Sequence, residues 1–316
     1  MGTQAGANAG AVMDEAEFRA LYAELRDARR WGPKDRRGAL NTITPAQVLD
    51  AAHEVRAGRH VSMASPIETE PGPDNPEPGR HEMTSPTGTA LAGSGVDFAL
   101  DRFTMNVHGN ADTHLDALSH VVFDDALYNG VGCETLTPEG ATALSVDVDR
   151  HGIVGRGVLL DIPRLRGVRW LEPGDHVTAD DLAAAEDVQQ VGVGSGDLLF
   201  VRVGHRLRRR ELGAWDAAHS RAGLHPAAVR YVAEREVALL GSDGNNDTAP
   251  SLVTGVDFPV HVLAVNALGV QLLDYLQFED LVPLCEGERR WTFLCVVAPL
   301  RLPEATGSPV NPVALL

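Results

Sequence analysis

The sequence predicts an α/β fold, built as a compact mixed sheet with flanking helices. Three observations carry that expectation. Short apolar runs between glycines recur, as in GVLLDI at 157–162 and DLLFVRV at 197–203. Their length and Val/Leu content suit buried strands. Segments with helix-start signals lie between them, so strands and helices alternate through the second half instead of segregating. No internal repeat interrupts this pattern.

The elements follow in order. Residues 1–12 read as a disordered tail, because they lack the basic start and apolar core of a signal peptide. A helix is expected from residue 14 to about residue 29. Phe18, Leu21, Tyr22 and Leu25 form one stripe, with acids at the start and arginines at the end. Thr44, Pro45 and Gln47 spell a capping box, so a second helix should run to about residue 56, with Ile43 stapled onto Val48. Residues 13–56 are therefore expected to be a helical extension of a single domain spanning 13–316. A short strand is expected at 60–63. Residues 66–86 are a proline-rich loop, and 96–122 turn strand-like. Residues 124–138 form a loop with Asn129-Gly130 as its turn. After the strand at 157–162, Thr178 caps a helix through Glu186. The strand at 197–203 follows, then a helix opened by His225-Pro226 and ending near Arg235. A strand at 237–240, a helix at 258–268 and a strand at 291–300 complete the chain.

Composition narrows the partners. Apolar and charged contents of 44 % and 22 % are ordinary for a globular protein of 316 residues. A net charge of −17 argues against nucleic acid and against an anionic membrane surface. No apolar run approaches the ~18 residues of a membrane span. Cys133, Cys285 and Cys295 are far apart, which suits buried thiols in a reducing cytoplasm.

Several catalytic signatures fail. In residues 191–196 (VGVGSG) the third glycine of GxGxxG would fall on Asp197, and a strand follows instead of a helix. There is no GxSxG elbow and no HExxH. DGNND at 243–247 begins like a calcium loop, but Thr248 and Thr254 stand at its sixth and twelfth positions, so it reads as a polar turn.

The stretch that carries chemistry is 107–120, VHGNADTHLDALSH. His114 and Asp116 are two apart, so a strand puts both on one face. His120 follows four residues later. Imidazole and carboxylate together suit Zn²⁺ or Mn²⁺. Spacing alone leaves a solvated polar loop as the competing reading.

These residues and several further blocks make the chain resemble the cyclase-like metal hydrolases, the family of bacterial kynurenine formamidase and isatin hydrolase. The blocks are RWGPKDRRGALNTIT at 30–44, THLD at 113–116, YNG at 128–130, RGVLLDIPR at 156–164, GDLLFVRVG at 196–204, VALLGSD at 237–243, FPVH at 258–261 and VVAPLRLPEATGSPVNPVA at 296–314. The resemblance implies the swivelling β/β/α type of fold, a homodimer or higher homo-oligomer, and one or two divalent metals. It implies that His114 and Asp116 are ligands, that His261 and Asp274 hold a second metal bridged by Asp116, and that His120 is the acid/base. The family signature HxGTHxDxPxH is altered here. Its first histidine falls on Asn110, its glycine on Asp112 and its proline on Leu118. His108, brought in by a bulge, or Asp112 would then complete the ligand set. Asn41, Trp31 and Asp112 are weaker candidates for the pocket wall.

The expected function is hydrolysis of the C–N or C–O bond of a small, often cyclic, amide, formamide or lactone by a metal-activated water with a histidine base. The alternatives are a cyclase or dehydratase of a polyketide-type pathway, or a binding protein that has lost metal affinity.

Overall fold

The apolar runs become the centre of one nine-stranded sheet in the computed structural model, which describes residues 12–28, 31–85, 96 and 98–316. Its strands are β1 (His60–Ser62), β2 (His114–Asp116), β3 (Ile153–Asp161), β4 (Leu198–Arg202), β5 (Leu239–Ser242), β6 (Gln271–Asp274), β7 (Thr292–Val297), β8 (Gly307–Pro309) and β9 (Val313–Leu315). Across the sheet they lie β1-β9-β7-β3-β4-β5-β6-β2-β8. The central four, β3 to β6, are parallel. The neighbours on both flanks pair antiparallel.

A parallel centre is covered on both faces, and the side-chain period of two divides the runs between two cores. Val158, Leu160, Leu199, Val201 and Leu240 enter one core. Leu159, Leu198, Phe200, Leu239 and Phe293 enter the other. The first core takes Phe18, Leu21 and Leu25 of α1 (Glu15–Asp27), and Leu182 and Ala185 of the helix Ala179–Gln189.

Thr44 and Thr178 cap as read, pairing with Gln47 and Asp181. Asp14, read only as an acid at the helix start, is itself an N-cap that accepts from Glu17 N at 2.8 Å. The far end of the first expected helix, and residues 1–11 of the expected tail, lie outside the described residues. The second helix, α2 (Pro45–Ala52), stops short of residue 56. Beyond it, Ala57 N and Arg59 N both donate to Leu316 O, so the chain is already joining the sheet edge.

Three segments differ more. Within 96–122 the described strands are Leu100–Thr104 and β2 alone, and residues 105–113 are irregular. Leu100–Thr104 pairs antiparallel with Arg80–Ser85, so part of the expected loop at 66–86 is a strand. Two acids of that loop are held by Arg209, which donates to Asp74 at 2.5 Å and to Glu68 at 2.7 Å. The expected helix at 258–268 is one α-turn, Pro259–His261, followed by a π-helix, Val262–Leu268. Such wide turns often mark functional sites. Gly269 ends it at φ +75, and an added Cβ there would lie 2.4 Å from the Tyr128 ring.

Candidate metal centre

Sheet register assembles the cluster. β2 lies between β6 and β8, with Asp274 opposite His114 and Gly307 opposite Asp116. Asp116 is fully buried at the focus. Its Oδ1 is 2.7 Å from His108 Nδ1, 3.6 Å from His114 Nε2 and 3.9 Å from His120 Nε2. Its Oδ2 is 3.4 Å from His261 Nε2, which is also 3.5 Å from Asp274 Oδ2.

Each partner is held by a specific contact. His114 Nδ1 faces Asp112 O at 2.8 Å, which leaves Nε2 toward the cluster. His108 Nε2 is 3.0 Å from Thr306 Oγ1, and its ring stacks on His120 at 3.7 Å. Gly307 makes room for this ring, since a Cβ there would lie 2.6 Å from His108 Cε1. Asp274 accepts from Asn245 Nδ2 at 2.5 Å and from Asn246 Nδ2 at 2.6 Å.

Electrostatics draw positive charge into the cluster. Burial opposes the charge on Asp116, but the imidazoles of His120, His108, His261 and His114 hold its carboxyl well below the usual range. Burial likewise works against a charged His261, yet Asp274, Asp116 and Asp247 raise it well above an ordinary imidazole. His120 goes the other way. Burial lowers it to about 4, helped by the neighbouring histidines and opposed by Asp116. It is therefore a neutral imidazole near pH 7, with its side chain 28 % exposed.

The residues present fit a divalent cation. Asp116 Oδ2 is buried without a hydrogen-bond partner, an arrangement that is costly unless something else satisfies it. His108, Asp116 and His120 form one group of converging donor atoms, and His114, Asp116 and Asp274 form another. Ligands at ~2.0–2.1 Å from a tetrahedral ion stand about 3.3–3.4 Å apart. The separations of 3.4, 3.5 and 3.6 Å around Asp116 are close to that spacing.

The cluster opens into a cavity of about 440 Å³, walled also by Asn110, Val121, Val122, Asn245, Asp257 and Phe258. A larger cavity of about 900 Å³ lies by α2, around Arg37, Ile43 and Asp149. It has no such convergence of ligand atoms, so donor chemistry, and not size, selects the smaller cavity.

The structure brings His108, His114, Asp116, His120, His261 and Asp274 together, and leaves three weaker candidates outside. Asp112 does not line the cavity, and it accepts from Glu68 N at 2.9 Å. Burial raises its carboxyl, against the effect of that hydrogen bond and of Arg206. Asn41 donates to Asp35 Oδ1 at 2.7 Å and to Gly38 O at 3.0 Å, knitting its own turn. Trp31 lines a separate small cavity with Ala39 and Val270. Asn110 lines the site cavity, with its Oδ1 accepting from Tyr275 Oη at 3.1 Å, but it is not among the converging ligand atoms.

Sequence reasoning passed over Asn245, Asn246 and Asp247. The segment read as a polar turn is buried throughout. A signal was present, because the polar run follows directly on the apolar strand β5. In parallel sheets, ligand sites form beyond the C-terminal ends of strands.

Fold and cluster together define an α/β protein with a buried His/Asp centre at a strand junction. The sequence profile of the Cyclase family matches residues 49–246, and the chain belongs to that family. A crystal structure described as a novel cyclase superposes with a TM-score of 0.81 at 29 % identity, covering 93 % of this chain and 99 % of that one. Isatin hydrolase bound to the product analogue thioisatinate gives 0.56 at 19 % identity, with 87 % and 99 % covered. Isatin hydrolase A from Ralstonia solanacearum gives 0.55 at 22 % identity, with 86 % and 97 % covered. No curated protein matches the chain. The α/β fold expected from the sequence is thus the fold of this family.

Proposed function

We propose that the protein is a metal-dependent hydrolase of a small amide, formamide or lactone, often cyclic. The observation that carries this reading is the fully buried Asp116, ringed by four imidazoles and Asp274, with Oδ2 unpartnered. His114 and Asp116 would hold one cation, with His108 beside them, and His261 and Asp274 with Asp116 would hold a second. Zn²⁺ suits the near-tetrahedral spacing, and Mn²⁺ is the other candidate. When bound, the ion supplies Lewis acidity toward the carbonyl and lowers the pKa of water.

The chain's own residues do the rest. His120 is neutral and partly open to the cavity, so its free nitrogen accepts the proton of the attacking water. It then delivers that proton to the departing nitrogen or oxygen, giving a carboxylic acid and an amine or alcohol. Val121, Val122 and Phe258 supply the apolar wall that a small ring needs.

Further expectations attach to this reading. Among the described residues no helix is long and apolar enough to cross a membrane. Burial pushes the Cys285 thiol up to about 12, as suits an inert thiol. The ribbon of Arg80–Ser85 and Leu100–Thr104 exposes Met83 and Phe103 on one face, which supports a homodimer.

The test is a metal titration followed by a substrate panel of N-formylkynurenine, isatin and simple lactones. One of them should be hydrolysed with Zn²⁺ or Mn²⁺ bound, and His120→Ala should abolish turnover while metal content persists. Undiminished turnover in His120→Ala would remove it as the base. Full metal occupancy with no hydrolysis of the panel would favour the cyclase alternative.

A further inference from the structure

Asp247 is buried and takes no part in the ligand set above. Its Oδ1 accepts from Val260 N at 2.7 Å. Its Oδ2 accepts from His261 N at 3.0 Å and lies 2.5 Å from His261 Nδ1. The first two contacts serve the start of the Pro259–His261 turn. A helix start leaves backbone N–H groups unpartnered, and a side chain at the N-cap usually accepts from them. Here the N-cap is Phe258, in the left-handed region at φ +51, and it has no acceptor to offer. Asp247, arriving from the segment after β5, replaces it.

The third contact fixes the imidazole. A carboxylate accepts only, so His261 must place a proton on Nδ1. Nε2 is then turned to the point between Asp116 Oδ2 at 3.4 Å and Asp274 Oδ2 at 3.5 Å. We propose that Asp247 is the positioning residue of the metal centre: it anchors the His261 turn and holds a proton on Nδ1, so that Nε2 is the nitrogen left to face a divalent cation. This rests on the metal reading of the site. Carboxylate–histidine–metal relays of this kind typically alter affinity 10–100-fold when the carboxylate is changed.

Asp247→Asn perturbs both roles. With the amide oxygen kept on Val260 N, the amide nitrogen replaces Oδ2, where it no longer accepts from His261 N and can only donate toward Nδ1. To accept that bond, His261 must move its proton to Nε2, where the cation would bind. The full chain, wild type and variant, is stripped with a chelator and titrated with Zn²⁺ against a chromophoric competitor. Visible spectra of the Co²⁺ forms and melting of the metal-free forms are recorded alongside. The expected result is a 10–100-fold weaker Zn²⁺ affinity and a changed Co²⁺ spectrum, with metal-free melting lowered by the lost His261 N–H contact. Equal affinity and an identical Co²⁺ spectrum would overturn the role of Asp247, while a lower melting point with unchanged affinity would reduce it to a helix cap. If wild type itself binds no Zn²⁺, the metal reading fails first, and the proposal with it. Should the variant not fold, ¹⁵N correlation spectra of wild-type imidazoles decide the matter. His261 protonated on Nδ1 in the Zn²⁺ form is expected, and a proton on Nε2 refutes the proposal.

Discussion

Gly307→Ala probes whether the sheet edge positions the site. The added Cβ would lie 2.5 Å from Leu115 O and 2.6 Å from His108 Cε1, each well inside normal contact. Leu115 O belongs to β2, whose register is set on both sides by β6 and β8. The ring of His108 is the freer neighbour and should yield by close to an ångström. That movement breaks the 2.7 Å contact with Asp116 Oδ1 and the 3.0 Å contact with Thr306 Oγ1. Overpacking typically costs about 1–3 kcal/mol, and losing a hydrogen bond to a charged group costs about 1.5–3 kcal/mol. These effects overlap, so a total of roughly 2–4 kcal/mol is expected. Urea unfolding reads the stability, and Zn²⁺ competition reads the centre, where affinity should drop at least tenfold. Gly109→Ala is the control, because a Cβ there meets nothing within 4 Å. A Gly307→Ala protein as stable and as tightly Zn²⁺-binding as wild type would refute the packing argument.

Two further outcomes are expected. Burial raises Asp149 to about 6, while the Gln271 hydrogen bond and Arg37 pull the other way. The folded state therefore binds more protons than the unfolded one between about pH 4 and 6, and stability should fall as pH rises through that window and then level off. Asp149→Asn should remove the slope and add up to about 3 kcal/mol at pH 7, and denaturant midpoints that match wild type at both pH 4 and pH 7 would contradict this. Asp112→Asn should leave Zn²⁺ affinity within about twofold, since its carboxylate serves Glu68 N and lies outside the cavity; a tenfold loss in the titration would return it to the ligand set.

Much of the fold is legible in the sequence because its causes are local. Leu198–Arg202 and Leu239–Ser242 are apolar runs of strand length, and they form the parallel centre. Asp14, Thr44 and Thr178 each carry a partner three residues on, and all three begin helices. His114 and Asp116 share a face because a strand repeats every two residues. Local rules failed where neighbours decide. Residues 258–268 have helical composition, yet the turn at Phe258 and the close approach of Tyr128 to Gly269 go with a π-helix there.

The sequence by itself therefore determined the layer architecture, the caps and the pair His114/Asp116. Only the tertiary structure decided which of the candidates offered by the family resemblance meet that pair. His108 and not Asp112 reaches Asp116, because Gly307 leaves room for its ring while Asp112 is taken by Glu68 N. Asp247 reaches His261 across fourteen positions of sequence because β5 delivers its polar segment beside the end of β6. Such convergence depends on the register of strands far apart in the chain, and no periodicity or spacing along one segment encodes it.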